Sequence, residues 1–336
     1  MTEPVVTFAI PCRNAGSHLR PLLESLLAQS RQDFRLLLID DGSDDGSAEL
    51  ARRVAGDRIR VVVSPRPRGL AGNFQHCADQ VRTRFFCLAH QDDIYEKDYL
   101  STLLPALQAR PQAALAHCRA RAIAADGAPL SGPAERYKDR LWRGRQGDGP
   151  VANYQRLYRG NFICCPSVLF RTEHFRGVGG FRTDLEFALD WDLWLRLARA
   201  GRDFVGVPRV LIRYRRHDVA SSRGSTRSLV RFREELELLT AARRNGIDDG
   251  LLPADTAPSP ALRNNVLHEA LDDLVLRDDE GVMQKLRFLR DYAPELWNDP
   301  YVRTFRALRR LGPVGSRLLA LGRSTAVRLG LGGARR

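Results

Sequence analysis

Lysine is almost missing from this sequence. Only Lys97, Lys138 and Lys285 occur among 53 basic residues, the rest being arginine. Long apolar runs are missing too. No stretch approaches the roughly 18 apolar residues that a membrane-spanning helix needs. The opening MTEPVVTFAIP carries an acid and a proline where a signal peptide needs a basic start and an apolar stretch, so the expectation is a chain kept in the cytoplasm. The six cysteines (Cys12, Cys77, Cys87, Cys118, Cys164 and Cys165) form no CxxC pair, and adjacent Cys164-Cys165 is a poor zinc spacing. Reduced, mostly buried thiols are expected. No GxGxxG follows the first strand and no Walker A lysine is present, which argues against dinucleotide oxidoreductases and P-loop enzymes. A GxSxG nucleophile elbow is missing as well.

What is present is enough apolar material for a sizeable core. Hydrophobic residues make up 43% of 336, a length that suits one large domain or two. VVTFAIP, FRLLLI, IRVVVS and RFFCLA read as strands. Between them lie a helix with leucines at 19, 22, 23, 26 and 27, a short AELARRVAG helix and a LAGNFQHCADQVRT helix. Strand and helix in alternation imply a mostly parallel sheet with helices on both faces. Ligands of such sheets gather at the carboxyl ends of the strands. After residue 100 a helix, a strand turning at Asp126-Gly127, and an exposed loop from Pro129 to Pro150 are expected. NFICCPSVLF then reads as a strand, DWDLWLRLARAG as a helix ended by Gly201, and DFVGVPRVLIRYRRH as a strand. Beyond about residue 222 the pattern is helical, with breaks at PADTAPSP and at Gly312-Pro313.

Three acidic clusters fall at or near strand ends. Asp40-Asp41 opens DDGSDDGS, whose spacing invites an EF-hand reading. The twelfth loop position is Arg52 rather than a bidentate Glu, and a strand precedes the loop, so calcium is rejected. Either a polar turn capped by Ser43 or Asp44, or a carboxylate that accepts from a nucleobase, fits the residues. Asp92-Asp93 directly follows the apolar strand Phe85–Ala89. Adjacent like charges at a core strand resist burial unless a cation joins them. Mg²⁺ or Mn²⁺ takes one or two carboxylates and completes its shell with phosphates; a helix first turn is the plainer alternative. In LDWDLWLRL, Asp190 and Asp192 sit near a helix start, either solvated or with Asp190 as a general base. In YRRHDVASSRGSTR, Arg215, Arg216, Arg223 and Arg227 surround His217. That stretch reads as a basic surface loop or as a lid over a diphosphate, since arginine forks suit phosphate.

Taken in order, VTFAIPCRNAGSHLRPLLESLLAQS, FRLLLIDDGSDDGS, FFCLAHQDDIY, FICCPSVLFRTEHFRGVGGF, LDWDLWLRLARAG and YRRHDVASS resemble an inverting family 2 glycosyltransferase of the GT-A fold, over residues 5 to 222. The QDDIY form is similar to members described as rhamnosyltransferase-like. The resemblance implies that Pro11 and Arg13 line the nucleotide pocket and that Asp41 binds the base. It implies a basic nucleotide contact at Arg68, Asp92 near the ribose, Asp93 on the metal, and His217 at the metal and diphosphate. Asp190 matches the family's catalytic base, although Leu189 stands where the family motif has an acid, which leaves Asp192 as the alternative.

These matches imply a GT-A domain at 1–222 and a helical region at 223–336. The implied reaction moves a sugar from a UDP- or dTDP-sugar, with Mg²⁺ or Mn²⁺, to a hydroxyl of a glycan or lipid-linked glycan in cell-surface polysaccharide synthesis. A catalytically inactive nucleotide- or glycan-binding module is the alternative. Net charge is +13, and from Tyr301 to Arg336 there are nine arginines and no acid. Without aromatic interleaving this does not read as a nucleic-acid surface. It reads either as a basic amphipathic segment on an anionic membrane surface or as a helix whose apolar face packs on the protein.

Overall fold

A computed structural model of the protein describes residues 4–130, 142, 149–216, 229–310, 312 and 319. The first half builds as the alternation predicts. Strand β1 (Val6–Cys12) is buried along its whole length. Its neighbours are β2 (Phe34–Asp40) and β4 (Phe85–Leu88), both parallel to it, and β3 (Ile59–Val63) lies parallel to β2. Helices α1 (Leu19–Leu27), α2 (Ser47–Ala55) and α3 (Gly69–Gln80) make the crossovers. The second half adds β5 (Ile94–Tyr95), α4 (Tyr99–Gln108), β6 (Ala113–Ile123), α5 (Gly149–Arg159), β7 (Val168–Arg171), α6 (Thr172–Gly177), α7 (Leu189–Arg199) and β8 (Asp203–Arg215). The sheet order is β3-β2-β1-β4-β7-β6-β8-β5. Strand β7 runs antiparallel to β4 and β6, β8 runs parallel to β6, and β5 is antiparallel to β8.

Period-2 alternation sorts the strand residues between two cores. Phe8, Ile10, Leu36 and Leu38 face α1 and α4. Ala9, Leu37 and Ile39 face α3, α5 and α7. Phe170 lies at the centre of the second core, stacked between Phe86 at 4.7 Å and Trp194 at 5.5 Å. The C-terminal helices α8 (Val230–Asp248), α9 (Pro260–Val275), α10 (Asp279–Tyr292), α11 (Pro294–Trp297) and α12 (Pro300–Arg309) follow. Leu239, Ala242, Val266, Phe288 and Val302 from this layer belong to the same apolar cluster as Phe170 and Trp194. Among the described residues no helix is long and apolar enough to cross a membrane.

One local expectation is corrected, one helix is added, and one open alternative is decided for the start of the tail. NFICCPSVLF is strand only from Val168; Cys165–Ser167 is a 3₁₀ turn. Pro166 lacks the amide that a sheet ladder needs. Helix α5 was not anticipated, although Asn153, Tyr154, Leu157 and Tyr158 give it one buried face; it follows directly on the polar run from Pro129 to Pro150. The start of the arginine-rich tail is also not free. Val302 and Phe305 of α12 are buried, Phe305 with Ala270, Val282 and Leu286. For this part of the tail the apolar face packs on the protein, while Arg303 and Arg310 are exposed. Most of the tail beyond Arg310 lies outside the described residues.

Phe305→Ala should therefore lower the stability of the protein, by about 3–5 kcal/mol if the site does not collapse. Urea denaturation measures it. An unchanged midpoint would show that α12 only rests on the surface.

Candidate active site

The site forms where β1, β2 and β4 end together. Past β1 the chain turns through Asn14, whose φ of 49° is left-handed, a conformation asparagine tolerates better than most residues. The turn is tied to the loop after β2. Asn14 N–H donates to Ser43 Oγ at 2.9 Å, Gly16 N–H to Asp45 Oδ2 at 2.8 Å, and Asp44 N–H to Asn14 Oδ1 at 3.0 Å. Much of DDGSDDGS thus shapes a loop. The cap expected from Ser43 or Asp44 is not formed; α2 starts behind Gly46, and Asp45 accepts from Ser47 N–H at 3.0 Å.

Of the residues matched to the nucleotide, Pro11 is buried in β1, and Arg13 and Arg68 have exposed side chains. Asp41 is 1% exposed. Its carboxylate accepts the backbone N–H of Arg68 at 2.8 and 3.0 Å and of Gly69 at 3.1 Å. It therefore ties the end of β2 to the start of α3. A carboxylate offers about four acceptor positions, so room remains for a further donor. Sequence reasoning missed Gln91. Its Oε1 accepts from Arg13 N–H at 2.7 Å, and its Nε2 donates to Arg13 O at 3.1 Å. It locks the first turn to the acidic loop, and an amide directly before two acids was the available signal.

Asp92 is half-buried and Asp93 is 2% exposed. One oxygen of Asp93, Oδ1, accepts the Arg215 N–H at 2.9 Å. The other, Oδ2, is buried with no hydrogen-bond partner among the described residues. Burial, and then the charge of Asp92, hold the Asp93 carboxyl well above the usual carboxylate range, against the pull of the Arg215 amide and charge. Arg215 is not part of a phosphate-binding lid. Its guanidinium donates to the carbonyls of Asp92 at 3.0 Å, Ala124 at 2.9 Å and Ala125 at 2.7 Å. The partners lie across the sheet end, which a linear reading of YRRH does not reveal. His217, and the rest of that stretch to residue 228, lie outside the described residues.

Asp190 and Asp192 have different surroundings. Asp192 is buried and paired with Arg196 at 2.7 Å. Arg196 in turn donates to the carbonyls of Val178 and Gly180 at 2.6 Å. Asp192 is thus held in a structural network. Asp190 is half-buried in the first turn of α7, and its Oδ1 accepts from Asn161 Nδ2 at 3.3 Å. Cys165 lies close to both acid groups. Burial, and after it the charges of Asp190, Cys164, Cys87 and Asp93, push its thiol well above the ordinary range. Asp93 and Asp190, on two elements far apart in sequence, thus both act electrostatically on this buried thiol.

Among the described residues no three metal-ligating side chains cluster. The donor set is nonetheless of the kind that Mg²⁺ and Mn²⁺ accept, one or two carboxylates with the remaining positions open for phosphate and water. The partnerless Oδ2 of Asp93 fits such a cation: ionised and uncompensated it is costly, and a cation beside it removes that cost.

A consequence for stability follows. A carboxyl whose pKa is raised on folding stabilises the fold fully below its unfolded value. That contribution is lost as pH rises from there through the folded value. In chelator, Asp93→Asn should therefore melt higher than the parent at pH 7, and the gap should close toward pH 4. Added Mn²⁺ should narrow the gap at pH 7 by stabilising the parent. Equal melting temperatures at both pH values in chelator would rule out a buried, uncompensated charge at Asp93.

Comparisons with known proteins identify the family. The model of the family described as Glycosyl transferase family 2 matches residues 7–178. An uncharacterized protein of Mycobacterium tuberculosis is 30% identical over 200 residues, 58% of this chain and 62% of its own length. An uncharacterized glycosyltransferase of Rickettsia typhi is 22% identical, with 82% and 80% covered. Among solved structures, S. aureus TarS (residues 1–349) in complex with UDP-GlcNAc superposes with a TM-score of 0.58 at 12% identity, covering 90% of this chain and 79% of the other. A mannosyltransferase from Pyrobaculum calidifontis, in complex with GDP-Man and Mn²⁺, gives 0.56 at 15% identity, covering 97% and 88%. None of these matches points to a rhamnosyltransferase subgroup. With a match that takes in just over half of its residues, on a mixed sheet of the GT-A type, this chain belongs to glycosyltransferase family 2.

Proposed function

We propose that the protein transfers a sugar, with inversion, from a nucleoside-diphosphate donor to a hydroxyl of a glycan or lipid-linked glycan acceptor during synthesis of a cell-surface polysaccharide. The observation that carries this reading is the buried Asp93 carboxylate, whose Oδ2 has no hydrogen-bond partner among the described residues, together with Asp190 in the first turn of α7 while its neighbour Asp192 is paired with Arg196. One acid suits a cation at a diphosphate; the other suits a proton acceptor. The relatives support the substrate class. A Bacillus subtilis protein, 23% identical over 215 residues, is described as a putative teichuronic acid biosynthesis glycosyltransferase, and the solved neighbours hold UDP-GlcNAc and GDP-Man.

In this reading the donor's nucleotide lies over the ends of β1 and β2. Pro11 and Arg13 line its pocket, and the remaining acceptor position of Asp41 faces a base N–H. Arg68 approaches from the start of α3, and Asp92 takes the ribose side. Asp93, with His217, would hold Mg²⁺ or Mn²⁺. Such a cation, when bound, supplies Lewis-acid stabilisation of the departing diphosphate. Asp190 accepts the proton of the acceptor hydroxyl as that oxygen attacks the anomeric carbon from the side opposite the nucleotide, which inverts the centre. Asp192, neutralised by Arg196, serves the architecture. The exposed arginines that begin at Arg303 suit an anionic membrane surface, where each is worth about 1 kcal/mol. Such a surface would place the enzyme beside a lipid-linked acceptor.

The test is release of nucleoside diphosphate from UDP-, GDP- and dTDP-sugars, with and without Mn²⁺. Turnover should vanish in excess chelator and in Asp93→Ala. Asp190→Asn should keep nucleotide binding and lose about 10²- to 10⁴-fold in turnover, the usual contribution of a general base. Full activity in chelator would remove the cation from the mechanism. A silent Asp190→Asn beside an inactive, folded Asp192→Asn would move the base by two residues.

A further inference from the structure

The amides ahead of the helix that carries Asp190 find no acceptor in the capping residue, although Asp190 Oδ1 accepts the Trp191 N–H at 2.6 Å within the first turn. Helix α7 starts with Ala188 in the capping position and no side-chain cap from that residue. Amides in the loop just ahead of the helix also need acceptors, and here a distant helix supplies them. Glu234, in the first turns of α8, accepts the Glu186 N–H on Oε1 at 2.7 Å, and the Phe187 and Ala188 N–H on Oε2 at 2.9 Å each. Both oxygens of one carboxylate are thus spent on three successive amides. Hydrogen bonds to a charged acceptor are about twice as strong as neutral ones. One turn earlier on α8, the Arg231 guanidinium lies 4.7 Å from the centre of the Phe187 ring. It is held there by Glu235 and Glu269, each at 2.9 Å. The loop is therefore gripped at its backbone and at its aromatic side chain from the same helix face. The Ala188 carbonyl then accepts the Asp192 N–H at 2.9 Å, the bond that opens α7. Asp190 lies between those two residues.

We infer that Glu234 is a positioning residue for transfer: its carboxylate fixes where α7 begins, and so where the Asp190 carboxylate stands relative to Asp93. The inference rests on the reading of Asp190 as the base. It assigns the C-terminal helices a part in the chemistry rather than only in packing. In chain order α8 is the next described element after β8, whose Arg215 amide holds Asp93. The two acids of the site are thus held by the flanks of one connection.

A shift of the base by about 1 Å can cost on the order of 10² in rate. Glu234→Ala should lower kcat about 10- to 100-fold, with KM and the titrated affinity for UDP or GDP with Mn²⁺ nearly unchanged. Glu234→Gln keeps one carbonyl acceptor and should recover part of the loss. In the Asp190→Asn background Glu234→Ala should cost nothing further, because it acts through Asp190. Hydrogen exchange without any donor should show the peptide containing residues 186–188 deprotected in Glu234→Ala, while the peptide containing Asp93 keeps its protection. The inference is overturned if that loop stays protected. It is also overturned if kcat stays within about twofold of the parent while Asp190→Asn is inactive, or if Glu234→Ala costs the same in both backgrounds. Full turnover of Asp190→Asn would instead overturn the base assignment itself.

Discussion

A single buried carboxylate sets the terms for this site. Asp93 closes the turn after β4, almost wholly removed from water, with one oxygen on the Arg215 amide and the other on no partner among the described residues. An ionised group in that position is unfavourable alone and becomes favourable beside a cation. The surroundings prevent it from relaxing toward solvent. Arg215 spends its guanidinium on the carbonyls of Asp92, Ala124 and Ala125, which fixes the acidic turn against the end of β6. Gln91 ties the same turn to the loop after β1. The cost of holding the carboxylate there is borne by the surrounding sheet.

The acids of this chain divide into those that build and those left to act. Asp40 and Asp45 accept from the serines of their own loop, and Asp192 neutralises Arg196. Asp41 does part of both, since it anchors α3 and keeps an acceptor position. Asp93 keeps a buried oxygen with no partner among the described residues, and Asp190 stands half-buried, accepting from Asn161 and from the Trp191 N–H. Carboxylates two residues apart, such as Asp190 and Asp192, thereby have different surroundings because a helix turns their side chains in different directions.

The C-terminal helices are integral to this arrangement. They pack against α5 and α7 and extend the apolar cluster on that side of the sheet through Leu239, Ala242, Val266 and Phe288. Through Glu234 and Arg231 they also hold the loop ahead of Asp190. A layer that shares its core with the sheet can transmit position to the site, because close-packed interiors yield little.

Much of this was legible in the sequence. Alternating apolar runs, the leucine spacing of α1 and the acids at strand ends specify local periodicity and charge, and these depend only on near neighbours. They sufficed for the strands of the first half and the helical C-terminal region; the roles given to Asp41, Asp93 and Asp190 came from the family resemblance. Other features depended on contacts between distant segments. Pro166 shortens an expected strand because the ladder needs an amide there. Arg215 turns inward because carbonyls from β6 and the acidic turn meet its guanidinium. The apolar side of α12 finds Ala270 and Leu286 instead of a free surface. Glu234, which reads as one more acid on a solvated helix, meets three amides from a loop 46 residues away at Ala188. Sequence alone determined which residues carry charge and which strands end in acid. Tertiary structure decided which of those charges are consumed by the fold, because only packing brings a donor within hydrogen-bond reach of a carboxylate or leaves it without one.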